Sequence, residues 1–365
     1  MMSSGCSHFL SHSKKSPRWL RFSAITILVV LAFSSISAAA PPADPAKSLR
    51  VYFVDVEGGQ ATLFVTPAGE SLLIDTGWPG NHGRDADRIA AAAKDAGISK
   101  IDYVLITHFH DDHVGGVPQL AAKIPIGTLV DHGENRETGD KVTQERWLAY
   151  KALLDSGKYK HIVPKPGDKL PIKGIDVEVL TADGAVLDKP LPGSGKDNPA
   201  CKDFNPPADN TENPRSLGTL ITFGKLRILD LGDLTANKEK ELMCPNNRIG
   251  QVDIYIASHH GLFQSNTAAL VHAVAPHVAI VDNGETKGGS PAALDIIKSS
   301  PGIAGMWQLH YSKEGGEAHN TAEEFIANLQ GPDAGNYLKL TAQTDGSFSI
   351  LNSRTDKAKI YSASH

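Results

Sequence analysis

The sequence predicts an α+β domain whose sheets are covered by helices, and three observations predict it. Three strand-like stretches, "LRVYFVDV" (49–56), "ATLFVT" (61–66) and "SLLIDT" (71–76), follow one another with only the turns "EGGQ" and "PAGE" between them. Beyond residue 83, short apolar strands alternate with helical patterns almost to the C-terminus. The polar clusters that could carry chemistry fall where predicted strands end.

The Ala-rich stretch "GRDADRIAAAAKDAG" (83–97) predicts the first helix, stopped at Gly97. The strand "DYVLIT" (102–107) leads into "THFHDDHVGG" (107–116), with a helix expected through "GGVPQLAAK". A strand "IGTLVD" (126–131), a helix "VTQERWLAYKALLDSG" (142–157) and a strand "GIDVEVLTA" (174–182) come next. Residues 183–215 then hold Pro190, Pro192, Pro199, Pro206, Pro207 and Pro214 among Gly, Asp and Asn. That composition predicts an irregular excursion, a lid or a covering loop. "SLGTLITFGKLRILDLGD" (216–233) predicts a tight hairpin, "NKEKELM" a helix and "VDIYIASHHG" (252–261) a strand. The tail predicts a helix near 267–274, the strand "HVAIVDNG", a helix at 291–299, the strand "GMWQLHY", a helix at 320–329 and a terminal hairpin.

Lys14, Lys15, Arg18 and Arg21 precede the apolar run "AITILVVLAF" (24–33), and "SSISAAAPPADP" follows it. This order predicts a signal peptide at 1–39, cleaved after Ala39, with an uncleaved anchor as the alternative. A single domain over 40–365, interrupted by the excursion at 183–215, and a periplasmic or secreted location follow as expectations. No later segment is long and apolar enough to cross a membrane. Without the leader the chain keeps 32 Lys and Arg against 41 Asp and Glu, a formal net charge of −9. Such a surface repels polyanions, so a small-molecule substrate is expected rather than nucleic acid. Cys201 and Cys244 survive the cleavage and form a candidate disulfide for an oxidising compartment.

The six positions 108–113 hold three histidines and two aspartates. A turn favours Asp and Gly but has no need of three imidazoles. Imidazole nitrogen and carboxylate oxygen are the ligands that catalytic zinc and manganese accept. His108 and His110 can turn into one pocket, and Asp112 and His113 toward a second position beside it. Two ions would need a carboxylate between them, which Asp233 in "LGDL" offers at a strand end. "SHHG" supplies His259 and His260, and "LLIDTG" supplies Asp75.

The ordered set "LLIDTG", "THFHDDH", "LGDL" and "SHHG" resembles the metallo-β-lactamase fold superfamily over roughly residues 49–283. The resemblance implies a four-layer αββα sandwich with two divalent ions, zinc or manganese, at one edge. Carried over by position, His108 and His110 would serve the first ion, and Asp112, His113 and His259 the second. Asp233 would bridge them and Asp75 would orient ligands. "VYFVDVEGGQATLFVTPAGESLLIDTG" and the "SHHG" ending are most similar to the hydrolase domain of bacterial DNA-uptake competence proteins. The sequence departs from the superfamily in one place. Typical members supply another histidine between the signature and the bridging Asp; from Gly133 to Asp233 this chain has only His161, and Asn213 stands before the "SL" strand. An amide oxygen is a weaker ligand, so the first ion is expected to leave before the second.

Trp78, His82, His132, His310 and His319 follow strands that face the same edge and are candidates to line the pocket or touch substrate. The implied function is hydrolysis by a metal-bridged hydroxide, with Asp112 as ligand and catalytic group. The substrate expected is a small phosphodiester or phosphate ester. A lactone, β-lactam or other acyl bond is the alternative, and a non-catalytic periplasmic metal-binding protein the third reading.

Overall fold

The computed structural model of the protein describes residues 47–363, so the leader expected at 1–39 lies outside the described residues. Alternation along the strands decides the layers. In Leu49–Phe53, Val51 and Phe53 face one side and Tyr52 the other; in Ser71–Ile74, Leu72 and Ile74 oppose Leu73. Both faces of each strand are apolar, so each sheet must be covered twice.

The first sheet runs, in spatial order, Lys357–Tyr361, Phe348–Asn352, Leu338–Ala342, Leu49–Phe53, Thr62–Val65, Ser71–Ile74, Ile101–Leu105, Ile126–Val130 and Lys160–Ile162. The second runs Ile326–Asn328, Gly305–His310, Val278–Val281, Ile254–Ile256, Leu226–Asp230, Gly218–Phe223, Asp176–Ala182 and Lys169–Leu170, with Ala185–Val186 paired to Asp176–Ala182 off this line. Val51, Phe53, Leu72, Ile74 and Leu105 of the first sheet meet Val177, Ile221, Ile228, Ile254 and Ile280 of the second in a central core. The outer face of the first sheet packs Tyr52, Leu73 and Val104 against Ile89, Leu120, Trp147 and Tyr150 of its helices. The outer face of the second packs Leu229, Tyr255 and Val281 against Leu242, Val271 and Leu294. Three apolar cores between four layers make the αββα sandwich.

The helices fall close to their predicted places, at Arg84–Asp95, Val117–Ala121, Lys141–Asp155, Ala236–Met243, Ala268–Val274 and Pro291–Lys298. Two strand and helix expectations fail. The helix expected at 320–329 is a single turn, Glu323–Phe325, followed by the edge strand Ile326–Asn328 parallel to Gly305–His310. Asn352 donates from Nδ2 to the carbonyls of Glu324 and Ile326, so sheet pairing and side-chain bonds override a helix-forming sequence. The terminal hairpin is a three-strand meander whose first strand, Leu338–Ala342, pairs with Leu49–Phe53.

The excursion at 183–215 is a covering loop. The backbone N–H groups of Leu191 and Gly195 donate to Arg248 and Asn247, and Asn198 Nδ2 donates to Met243 and Ala269. Cys201 and Cys244 are joined across a sequence separation of 43. Free-thiol titration of the unfolded, unreduced protein should find none from this pair. A chain-entropy argument gives a loop of this length several kcal/mol, so the double serine variant should lose roughly 2–4 kcal/mol in urea unfolding. Unchanged stability would mean that the hydrogen bonds alone hold the excursion.

Among the described residues no helix is long and apolar enough to cross a membrane.

Candidate metal centre

The parallel strands of both sheets end on the same edge, and the polar residues cluster there. Ser71–Ile74 delivers Asp75, Ile101–Leu105 the 107–113 turn, Leu226–Asp230 Asp233, and Ile254–Ile256 the His259–His260 pair. The turns are built to come close. A Cβ at Gly116 would lie 2.1 Å from the Thr76 carbonyl oxygen, and one at Gly232 2.8 Å from Thr107 Cβ. Asp75, His259 and His260 all take left-handed backbone, with φ of 58°, 53° and 54°. Non-glycine residues adopt that conformation at a cost, and such positions concentrate at functional sites.

One ligand atom each from Asp112, His113, Asp233 and His260 lies within 4.8 Å of the others, and all four residues are buried. His260 Nε2 stands 2.9 Å from Asp112 Oδ2 and 3.1 Å from His113 Nε2. Asp233 Oδ1 faces His113 Nε2 at 3.3 Å and His260 Nε2 at 3.5 Å. Its other oxygen, Oδ2, faces His259 Nε2 at 3.4 Å and His108 Nε2 at 3.9 Å. His108 Nε2 in turn lies 3.0 Å from His110 Nδ1. Asp233 therefore has one carboxylate oxygen toward each of two histidine groups.

The outward nitrogens of His108, His110 and His113 are already committed. His113 Nδ1 meets Asp75 Oδ2 at 2.7 Å and His110 Nε2 meets Glu137 Oε2 at 2.9 Å; a carboxylate can only accept, so both nitrogens carry the proton. Thr107 Oγ1 donates to Asp75 Oδ2 at 2.6 Å and so accepts from His108 Nδ1 at 3.1 Å. Each ring is left with its other nitrogen aimed inward. This is the arrangement by which outer partners fix the tautomer of a metal-ligating histidine. Asp233 Oδ1 is buried with no hydrogen-bond partner among the described residues. An orphaned carboxylate oxygen amid inward imidazole nitrogens fits a divalent ion of the zinc or manganese type.

Electrostatics agree. Burial alone would raise the carboxyls of Asp112 and Asp233. Lys287 and His113 outweigh it at Asp112, and His113, His260 and His259 at Asp233, holding both well below the usual carboxylate range. Burial and the neighbouring His113 and His110 push His108 well below its ordinary value, so it is a neutral ligand-type imidazole.

Residues 54–199 match the family described as the metallo-beta-lactamase superfamily. Over that stretch the chain is similar to a metallo-β-lactamase superfamily domain. Recombination protein 2 of Haemophilus influenzae is 22% identical over 242 residues, which cover 64% of this chain and 24% of that protein. Competence protein ComA of Neisseria gonorrhoeae is 23% identical over 269 residues, 73% of this chain and 31% of that protein. Hydroxyacylglutathione hydrolase of Stenotrophomonas maltophilia is 38% identical over 105 residues, 29% of this chain and 37% of that protein. The matches thus span about a quarter to just over a third of these relatives. The resemblance to the superfamily and to competence proteins, read from the sequence, is borne out.

One expected ligand changes place. His260, not His259, closes the group around Asp112 and His113. Two successive left-handed residues turn the chain so that the second ring points inward, fully buried, while His259 stands against the far oxygen of Asp233. Asn213 is buried at the end of the excursion, and its Oδ1 has no hydrogen-bond partner among the described residues. His132 is spent on Glu212, 2.9 Å away, and ring contact with Phe109. His82 is exposed at the turn before Arg84–Asp95. His319 pairs with Asp295 at 2.8 Å, and His310 with Asp55 at 2.7 Å in a separate group with Glu57. These four do not join the histidine groups around Asp233. Trp78 is half-buried and its ring faces Lys287. Sequence reasoning missed Glu137 and Lys287, which no spacing rule singles out, and the orienting role of Thr107, which opens "THFHDDH".

Proposed function

We propose that the protein is an exported hydrolase that takes two divalent ions, zinc or manganese, and cleaves a small phosphodiester or phosphate ester. The observation that carries this reading is the two-faced Asp233, with one oxygen toward Asp112, His113 and His260 and the other toward His108 and His259. Likeness to competence proteins supports the phosphate ester, and the acidic surface supports a small substrate over a polymer. The basic leader and the Cys201–Cys244 pair support export.

Bound ions would supply an activated water and draw charge from the scissile bond. The chain's own residues do the positioning. Asp75, Thr107 and Glu137 hold the rings of His113, His108 and His110 in the tautomers that aim lone pairs inward. Asp112, besides holding an ion, orients the attacking water and takes its proton at a carboxylate oxygen.

A second reading is hydrolysis of an acyl bond such as a lactone or β-lactam, favoured by the 38% identity to hydroxyacylglutathione hydrolase over 29% of this chain. Metal content by mass spectrometry, followed by bis(p-nitrophenyl) phosphate, lactone and β-lactam panels, separates the readings. Two ions with no turnover on any panel would leave a metal-binding protein.

His259 faces the same Asp233 oxygen as His108, so it stands where the superfamily's missing third imidazole would act. Chelator titration should remove the ions in two steps. His259→Ala should lower the stoichiometry from two ions to one, whereas Asn213→Ala should keep two. The reverse pattern would return Asn213 to the first ion.

A further inference from the structure

Lys287 belongs to the loop between Val278–Val281 and Pro291–Lys298. Its ammonium donates to Asp112 Oδ2 and lies 4.8 Å from the centroid of the Trp78 ring. The loop around it is fixed from several sides. Gly284 N–H donates to the Lys287 carbonyl at 2.8 Å, Gly289 N–H to His260 O at 2.8 Å, and Ser312 Oγ to Gly289 O at 2.9 Å. Gly58 lies so close that a Cβ there would sit 3.0 Å from Lys287 Cβ, and one at Gly288 would sit 2.2 Å from His260 O. The base of the stem is therefore packed between the 57–59 turn and the His260 turn.

The charged head rests on the oxygen that lies 2.9 Å from His260 Nε2 and 3.2 Å from His113 Nε2. A divalent ion on the same oxygen repels an ammonium there. The side chain is 30% exposed, so its head can leave Asp112 while keeping its contact over the indole at the mouth of the site. We propose that Lys287, steadied by Trp78, is the substrate-anchoring residue, and that it takes a negatively charged oxygen borne next to the scissile bond. The substrate class is then an anionic ester, a phosphate mono- or diester, rather than a neutral ester or lactone. A lysine suits this role as a mobile point charge for phosphate. The inference rests on the hydrolase reading above.

The test uses metal-loaded full-length protein and its Lys287→Gln and Lys287→Arg variants. Inorganic phosphate is the binding probe, measured by calorimetry, and bis(p-nitrophenyl) phosphate and neutral p-nitrophenyl acetate are the substrates. Lys287→Gln should weaken phosphate binding and raise KM for the diester about tenfold or more, and should lower kcat/KM for the diester at least about tenfold more than for acetate. Lys287→Arg should restore most of the affinity. Added salt should raise KM of the parent protein but not of the glutamine variant. Equal phosphate affinity in the parent and glutamine proteins would overturn the proposal and reduce Lys287 to a placeholder on Asp112. Equal losses on both substrates would overturn it too. If the parent cleaves acetate but not the diester, the phosphate-ester reading fails, while the phosphate titration still decides the role of the lysine.

Discussion

Asp112→Ala is expected to lower kcat/KM by about three orders of magnitude or more while leaving the circular dichroism spectrum unchanged. The expectation comes from how many partners share one carboxylate. Oδ2 of Asp112 is touched by His113, His260 and Lys287, so its loss removes an ion ligand, the group that orients the water and the counter-charge of a lysine. The rest of the fold does not depend on it, because the side chain sits at the strand ends and belongs to none of the three apolar cores. His113→Ala should behave alike, since Asp75 then loses the imidazole it orients. The measurement is steady-state kinetics with metal content determined on each preparation. If Asp112→Ala turned over within tenfold of the parent protein, a reaction dependent on this carboxylate would be wrong. If activity returned on adding excess metal, Asp112 would be a ligand only.

The layers and the edge that carries the site were legible because both are written in short-range pattern. Period-two alternation in "LRVYF" and "SLLI" sets the sheet faces, and strand ends locate Asp75, His108 and Asp233. What failed depends on distant partners. "TAEEFIANL" has the composition of a helix, and only Gly305–His310 and Asn352, far off in sequence or on the other side of a turn, make Ile326–Asn328 a strand. The choice between His259 and His260 could not be read from "SHHG", because it turns on two left-handed residues rather than on spacing. Glu137 reaches His110 across 27 positions and Lys287 reaches Asp112 across 175, and no local rule anticipates such pairs.

Zinc added to the metal-free protein at neutral pH is expected to release about one proton on entering the group of Asp112, His113, Asp233 and His260. Burial would lower His260, but Asp233, Asp282 and Asp112 outweigh it and hold the imidazole up to about 10. His113 is likewise carried well above its ordinary value, against burial, by Asp233, Asp112 and Asp75. The two Nε2 atoms face each other at 3.1 Å and cannot both point a proton into that gap, so the pair shares one inward proton. An ion needs both lone pairs and must expel it. Affinity should therefore rise about tenfold per pH unit across the neutral range and level off near pH 10. Stability of the metal-free fold follows the opposite course on the alkaline side. The raised His260 contributes fully below its ordinary 6.5, and that contribution fades as pH climbs through about 10. The lowered carboxyls of Asp112 and Asp233 contribute above the ordinary 3.8 and fail only as acid reaches their depressed values. Calorimetric titration in two buffers of different ionisation enthalpy counts the proton directly, and titrations at pH 6 and pH 8 should differ by roughly 100-fold in affinity. Release of no proton, with affinity flat in pH, would mean that both rings already present neutral nitrogens to the centre and that the carboxylates alone draw the ion in.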